Sequence, residues 1–270
     1  MNQTTPAVKN IIIINILMFA AMYVFSHSLG YDLNGLLGLH YVRASDFGVW
    51  QFVTFLFMHG GLSHLFFNMF ALWMFGSLIE RSIGMRRFLI YYMATGIGSG
   101  IMQELVQAFQ VSSFTDAVNV VLNDPRVETI QAFINSQQPP TIEAATSLQA
   151  FIKEYNGIIG SDASGAETMA RSYFCEYQQM WIDAHVTIGA SGAVFGLLLA
   201  AAMLFPDMTL MLMLPPVQLK MKWYVLIYGV IELFCGVANF QSDNVAHWAH
   251  LGGMAFGYII LRRWMNRDWR

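Results

Sequence analysis

Residues 189–205 read GASGAVFGLLLAAAMLF, a run without any charged residue that opens on small residues and continues with apolar ones. It stops at Pro206, whose ring cannot continue a helix. Such a run is typical of a helix in the hydrocarbon of a membrane, where every backbone group must bond within the helix. The run therefore predicts a membrane helix over 191–205 that begins at a glycine-rich turn and a serine.

The composition of the whole chain favours a membrane protein. Of its 270 residues, 56% are hydrophobic and only 11% are charged, whereas about 25% of the residues in an average soluble domain are charged. A membrane-spanning helix needs about 20 mostly apolar residues. Six stretches approach that length, which predicts an all-α, polytopic bundle with spans at 10–28, 62–80, 86–106, 191–205, 222–238 and 246–264, bounded by residues such as Gly84, Pro206-Asp207 and Pro215-Pro216.

The distribution of charge indicates the orientation and excludes one class of partner. A net charge of −3 lacks the basic excess that nucleic acid requires. Lys and Arg concentrate beside the cytoplasmic ends of spans, and ten of the fourteen, Arg270 among them, lie on one side if the N-terminus is inside. Both termini are then cytoplasmic, and the second, fourth and sixth spans enter from the outer face. Residues 10–28 are expected to stay as an anchor rather than be removed as a signal peptide.

A segment of different composition interrupts the spans. Residues 107–186 contain Pro139-Pro140, a Gly/Ser-rich run at 157–165, and apolar positions at helical spacing. We expect an extramembrane helical insert on the outer side, either without chemistry or acting as a lid or substrate selector. The organisation is thus 1–106 with three spans, 107–186 as the insert, and 187–270 with three more. Cys175 and Cys235, far apart in sequence, form no metal or disulfide pattern.

Four polar residues are predicted to lie inside the spans. His64 and Asn68 are four positions apart, so they share one helix face. Ser191 begins the fourth span and His250 lies about one turn into the sixth. Because these three spans enter from the same side, the four residues fall at similar depth. Polar groups inside a span are costly unless they face the bundle interior, which makes each a functional candidate.

Helix length and small residues indicate how these groups meet. The fourth span has about 14 residues, or roughly 21 Å, against a hydrocarbon core of about 30 Å, so Ser191 is expected below the outer surface in a water-filled cavity. Small residues recur every four positions in the fourth and sixth spans, which favours close packing of two helices. This contact would bring His250 to Ser191; the small residues are Gly192, Gly196, Ala200, Ala249, Gly253 and Gly257.

The residue types fit nucleophilic catalysis. A serine becomes a good nucleophile when a neutral histidine removes its proton, and Ser191 with His250 fits that pair. The Ser191 N–H at a helix start, together with His64 and Asn68, would stabilise an oxyanion. We expect no carboxylate at this depth, so the pair is interpreted as a dyad, with the imidazole packed against Phe195.

Other interpretations stay open from the residues alone. The four polar residues can be structural hydrogen-bonding groups between helices. His59 and His247 could join His64 and His250 as metal ligands, although this leaves Ser191 without a role. A transporter with a polar pathway is a further class; apart from Glu232 the spans lack a carboxylate suited to proton coupling. A membrane protein that binds clients without cutting them is the remaining alternative.

Three motifs carry a resemblance to a known family. They are 59–69, HGGLSHLFFNM; 189–196, GASGAVFG; and 249–253, AHLGG, with Gly257 following. On these motifs the chain resembles the rhomboid intramembrane serine proteases, over its whole length except 107–186. The resemblance implies a six-helix bundle that hydrolyses peptide bonds in or beside transmembrane segments, with Ser191 and His250 as the dyad and His64 and Asn68 near the oxyanion.

The resemblance also implies supporting residues, partners and a location. Gly189, Gly192, Gly253, Gly257 and Phe195 would shape the site, and no metal or organic cofactor is implied. Transmembrane proteins are the expected substrates, in a bacterial plasma membrane. Where many relatives carry Trp-Arg in the first outer loop, this chain has Trp50-Gln51. The physiological substrate, the role of the insert and the oligomeric state stay open.

Overall fold

A computed structural model describes residues 4–211, 217–238 and 245–268. Pro215-Pro216 and Arg270, used above for a span boundary and for the charge count, lie outside the described residues. The described part of the chain is mostly helical, and the four β-strands in it have two or three residues each. The all-α prediction is therefore confirmed.

The elements up to the insert are mostly helical. The first span is α1 (Pro6–Val24), continued by a π-helical turn (Phe25–Leu29), and it is followed by α2 (Leu33–Leu37) and β1 (Leu39–His40). After α3 (Gln51–Thr54) and a 3₁₀ turn (Phe55–Phe57), the second span consists of α4 (Leu62–Ala71), a π-helical turn (Leu72–Gly76) and α5 (Ser77–Ile83). Gly84, with φ +82°, ends α5 in a conformation that favours glycine.

The remaining elements form the insert and the last spans. The long helix α6 (Met85–Asn123) is followed by α7 (Val127–Ser136), α8 (Ile142–Ile158), α9 (Ala163–Asp183) and β2 (Val186–Thr187). Then come α10 (Ser191–Leu204), β3 (Thr209–Met211), β4 (Gln218–Lys220), α11 (Met221–Ala238) and α12 (His247–Asp268). Strands β3 and β4 pair antiparallel, with Leu210 opposite Leu219.

Within the described residues, three helical segments are long and apolar enough to cross a membrane: Pro6–Leu29, Leu62–Ile83 and Met221–Ala238. The predicted spans at 191–205 and 246–264 correspond to α10 and α12. The span at 86–106 was predicted to end where the insert begins, and the chain stays helical beyond residue 106. One helix, α6, continues to Asn123, because no glycine or proline interrupts the chain between Gly100 and Pro125.

The described residues divide into two compact units. The first contains residues 4–39, 48–104 and 187–268; the second contains residues 40–47 and 105–186. Residues 40–47, expected with the first three spans, therefore belong to the unit of the insert. Within that unit the Ser45 N–H and hydroxyl both donate to the Asp183 carboxylate, at 2.8 and 3.0 Å.

The second unit has a hydrophobic core of its own. Aromatic side chains from α6, α7, α8 and α9 fill it, and Phe114 stacks on Trp181 with ring centroids 4.3 Å apart. The expected amphipathic helices of the insert place their apolar faces here. Their buried residues include Ile130, Phe133, Leu148, Phe151, Phe174 and Tyr177.

In the first unit, a buried carboxylate anchors the start of α1. The N–H groups of Ala7 and Val8 donate to the two oxygens of Glu80 at 3.1 and 3.0 Å. The first N–H groups of any helix have no partner within the helix, and Pro6 supplies none. Glu80, on α5, therefore supplies the hydrogen-bond acceptors that the buried N–H groups at the start of α1 require.

The segment between the first and second spans contains the Trp50-Gln51 pair. Gln51 is fully buried, and its side-chain amide donates to the carbonyl of Leu36 at 3.3 Å. The hydroxyl of Thr54 donates to the neighbouring carbonyl of Leu37 at 2.6 Å. These bonds tie α2 to α3 without a charged side chain.

Candidate active site

Two small residues bring α10 and α12 together. A side-chain carbon added at Gly253 would lie 1.9 Å from the carbonyl oxygen of Gly192, so the two backbones touch directly. The contact expected between the small residues of the fourth and sixth spans therefore occurs at Gly192 and Gly253. Further along, Gly196 and Gly257 face Thr95 and Tyr91 of α6 instead, and the Tyr91 hydroxyl donates to the Gly196 carbonyl at 2.8 Å.

Ser191 and His250 meet beside this contact. Ser191 is the first residue of α10, and His250 lies in the first turn of α12. The Ser191 Oγ and the His250 Nε2 are 2.8 Å apart, and the His250 side chain is buried. This is the distance at which a histidine can accept the proton of a serine hydroxyl.

Phe195 fixes the plane of the imidazole. Its ring lies 4.2 Å from that of His250, centroid to centroid, with 9° between the planes. Phe195 is one helical turn after Ser191, so the residue that would carry the nucleophile and the residue that supports its base share one face of α10. The structure thus places Phe195 where the sequence analysis expected it.

The opposite edge of the imidazole contacts a carboxylate. Oε2 of Glu232, on α11, is 2.9 Å from His250 Nδ1 and 2.6 Å from His247 Nδ1. The expectation that no carboxylate reaches this depth is wrong. Glu232 lies six residues before the end of α11, or about 9 Å along the helix axis, and His250 lies three residues after the start of α12, or about 4.5 Å.

The segment before Ser191 has a backbone that only glycine adopts readily. Gly189 has φ +123°, and a side-chain carbon there would lie 2.8 Å from the Nε2 of His64. The Gly189 N–H donates to the Phe55 carbonyl at 2.9 Å, which holds the turn in place. The absence of a side chain at Gly189 therefore leaves room for the His64 ring next to Ser191.

His64 presents a donor on this side. Its Nδ1 accepts the N–H of Gly60 at 3.4 Å, a tautomer in which Nε2 carries the hydrogen. Asn68 is buried one turn later, and its amide donates to the His64 carbonyl at 3.0 Å. His64 Nε2 and Ser191 Oγ both border the space beside Gly189, at 2.8 and 3.7 Å from the position of a side-chain carbon added there, and Asn68 lies one turn further along the helix of His64.

His59 packs on the far side of His64. The two rings meet edge to face, 5.1 Å apart. His59 is fully buried, and this burial, together with the nearby His64, lowers its pKa to about 4. His59 is therefore neutral at pH 7 and acts as a packing residue here.

The metal-binding alternative takes a different form in the structure. Among the described residues, the group of potential ligands that comes together is Glu232, His247 and His250, whose ligand atoms lie within 4.8 Å of one another. It contains neither His59 nor His64. Two hydrogen bonds join the three side chains, at 2.6 and 2.9 Å.

Comparison with known families identifies the fold around this site. The family model of the Rhomboid domain matches residues 46–115 and 144–266, which is most of the chain and includes all four predicted site residues. The chain belongs to the rhomboid family. The second matched segment begins inside the insert, so the similarity reaches further than the three motifs indicated.

Individual relatives of this rhomboid match over shorter stretches. Rhomboid protease GluP of Bacillus subtilis is 35% identical over 69 residues, which is 26% of this chain and 14% of GluP. Rhomboid-like protein 11, chloroplastic, of Arabidopsis thaliana is 33% identical over 97 residues, 36% of this chain and 32% of the relative. Rhomboid protease GlpG of Salmonella choleraesuis is 31% identical over 58 residues, 22% of this chain and 21% of GlpG. The matched part of this rhomboid thus spans at most a third of the length of these relatives.

Glu232 is the residue of this site that sequence reasoning missed. The signal was present, because a carboxylate inside an otherwise apolar span is costly and marks a functional candidate. A second signal was the spacing of His247 and His250, three positions apart on one helix face. Neither signal by itself says that the two histidines face α11.

Proposed function

We propose that this rhomboid is an intramembrane serine endopeptidase that cleaves transmembrane segments of other membrane proteins. The observation that supports this most directly is the 2.8 Å hydrogen bond between Ser191 Oγ and His250 Nε2. The relatives GluP and GlpG are named as rhomboid proteases, which supports the same reaction class.

In the first half of the reaction, Ser191 forms a bond to the substrate. Its Oγ attacks the carbonyl carbon of the scissile peptide while His250 Nε2 takes the hydroxyl proton. The carbonyl oxygen becomes negative, next to the Ser191 N–H at the start of α10 and to His64 Nε2, both of which can donate. The C–N bond then breaks, His250 gives its proton to the leaving amine, and an ester on Ser191 remains.

In the second half, water replaces the amine. His250 takes a proton from a water molecule, the oxygen of which attacks the ester carbonyl. The C–Oγ bond breaks, the proton returns to Ser191, and the new carboxyl end leaves. Water must therefore reach the site from outside the bilayer, which the short α10 of 14 residues favours, because its N-terminus lies below the membrane surface.

The substrate must present an extended segment. A carbonyl inside a helix is hydrogen-bonded and shielded, so the substrate helix has to unwind where it is cut. We expect helix-weakening residues and a small side chain at the cleavage position. We also place the protein in a bacterial plasma membrane as a multi-pass protein, with both termini in the cytoplasm and the insert outside; residues 1–3 and 269–270 are outside the described residues.

Reaction of the purified protein with a fluorophosphonate tests the proposal. Such a probe bonds covalently to an activated serine and releases fluoride. Folded wild-type protein should be labelled, and Ser191→Ala and His250→Ala should not. The same wild-type protein should cleave fluorescently labelled casein equally well with and without EDTA, because no step uses a metal. Folded wild-type protein that the probe does not label would refute the proposal.

A further inference from the structure

One oxygen atom of Glu232 receives two hydrogen bonds from α12. Oε2 lies 2.6 Å from His247 Nδ1 and 2.9 Å from His250 Nδ1. An ionised carboxylate can only accept hydrogen bonds, so beside an ionised Glu232 each Nδ1 carries a hydrogen. For His250 this decides the tautomer: the neutral ring then has its lone pair on Nε2, the atom that faces Ser191 Oγ at 2.8 Å.

Glu232 and Phe195 constrain different movements of the same ring. Stacking on Phe195, at 4.2 Å and 9°, fixes the plane of the imidazole. It leaves the ring free to turn within that plane, which would move Nε2 away from Ser191. A hydrogen bond at the opposite nitrogen stops this rotation, so the two contacts together hold Nε2 on the serine.

The charge of Glu232 also matches the charge that the reaction creates. When His250 takes the serine proton, an imidazolium forms 2.9 Å from the carboxylate. Both side chains are buried, with 7% of each residue exposed, and opposite charges attract more strongly away from water. This attraction is present only after the proton has moved, which is the condition for lowering a barrier rather than stabilising the resting state.

His247 keeps the carboxylate in place. It lies three positions before His250, so both rings project from one face of α12 toward Glu232. Without His247, His250 would be the one side chain among the described residues that donates to this carboxylate, and a buried charge with too few partners costs free energy. His247 thus completes the partners of Glu232 and holds it against His250.

We propose that Glu232 is a positioning residue that turns the Ser191–His250 pair into a Ser191–His250–Glu232 triad, with His247 as the second donor to the carboxylate. The inference rests on the proposed serine protease function. It predicts a role in the rate of bond formation at Ser191, separate from any role in joining α11 to α12.

The first experiment measures how fast a fluorophosphonate labels Ser191, with the maximal rate, kinact, separated from the half-saturating concentration, KI. Glu232→Gln keeps the size of the side chain but removes its charge, and its amide can present a donor to His250. We expect kinact to fall about 10²-fold, within the range for loss of acid–base function, with KI unchanged. Glu232→Asp restores the charge and should recover part of the lost kinact.

A matched control is available in the same unit. Glu80 is also a buried carboxylate that accepts two hydrogen bonds, and it lies on α5. Glu80→Gln should lower the melting temperature and leave kinact unchanged, whereas Glu232→Gln should lower kinact. If folded Glu232→Gln keeps kinact within about twofold of wild type, in contrast to the loss expected for a triad member, the triad is refuted while the protease function stands.

A second experiment needs no substitution at Glu232. Nitrogen-15 NMR of histidine-labelled wild-type protein reports which ring nitrogen carries the hydrogen, with the His250 signals identified by their absence in His250→Ala. The triad requires the hydrogen on Nδ1; a neutral His250 with the hydrogen on Nε2 would overturn it even if Glu232→Gln fails to fold. A wild-type protein without labelling would instead refute the protease function, and the tautomer would still test the positioning.

Discussion

Replacing Gly253 by alanine is expected to separate the two helices that carry the proposed catalytic pair. The added carbon would lie 1.9 Å from the Gly192 carbonyl oxygen, whereas ordinary contact begins near 3.4 Å. The clashing atom belongs to the backbone, which cannot change rotamer as a side chain can, so α12 must move away from α10 by about 1.5 Å. His250 is one turn away and moves with it, which lengthens the 2.8 Å bond to Ser191 beyond hydrogen-bond range.

The magnitude follows from that displacement. Misplacing a reacting group by about 1 Å can cost about 10²-fold in rate, so fluorophosphonate labelling of Gly253→Ala should fall at least that far. Overpacking of this kind also destabilises by about 1–3 kcal/mol, which thermal melting in detergent would detect as a lower melting temperature.

Gly229→Ala is the matched control on α11. There the added carbon meets only the end of Met254, at 3.4 Å, and a flexible methionine can move. Alanine also favours a helix over glycine by about 1 kcal/mol, so Gly229→Ala should label normally and melt at the same temperature or higher. Gly253→Ala protein with wild-type labelling and melting would refute the argument that direct contact of the two backbones holds the site together.

Three further predictions concern other parts of the chain. Glu80→Gln should lower stability by about 1–3 kcal/mol, the cost of leaving a buried N–H of α1 without its acceptor, as measured by thermal melting. Burial and the nearby His64 lower the pKa of His59 to about 4 in the folded protein, so the unfolded chain takes up this proton at a higher pH than the folded one. The free energy of unfolding should therefore fall by about 3 kcal/mol between pH 6.5 and pH 4. His59→Gln should show a smaller fall over the same range, as measured by thermal melting. Replacing residues 110–182 by a short linker should leave fluorophosphonate labelling largely intact and change which membrane proteins are cut, and a folded deletion variant without labelling would show instead that the insert supports the site.

The spans could be located from the sequence because charged residues and turn residues lie at the ends of the apolar runs. Ser191 and Met221 begin α10 and α11 at or next to the expected positions. The sequence also indicated that α10 and α12 pack closely, since glycine and alanine at four-residue spacing let two helix backbones approach each other. The spacing does not show which helix packs against each small residue, and in the structure Gly196 and Gly257 face α6.

Two features escaped prediction for physical reasons. The continuation of α6 from residue 106 to Asn123 was not predicted, although glutamine and glutamate, which occur in this stretch, are good helix formers. The contact of Glu232 with His250 was not predicted because similar depth was expected only for residues of the second, fourth and sixth spans, and Glu232 lies on the fifth. A residue near the end of a span that runs the other way can reach the same depth, as the hydrogen bond between Glu232 and His250 shows.

The helix that carries Ser191 has a different environment from the helices around it. Only 17% of the apolar window is buried within the protein in Pro6–Leu29 and in Met221–Ala238, whereas most residues of α10 are buried, among them Gly192, Ala193 and Leu197. Lipid accepts any apolar side chain of suitable length, but a protein interior accepts only a shape that fits. Over evolutionary time, α1 and α11 are therefore free to exchange leucine, isoleucine, valine and phenylalanine on their outer faces, while α10 is expected to change slowly along its whole length. A saturation mutagenesis library selected for activity should show the same contrast in tolerance.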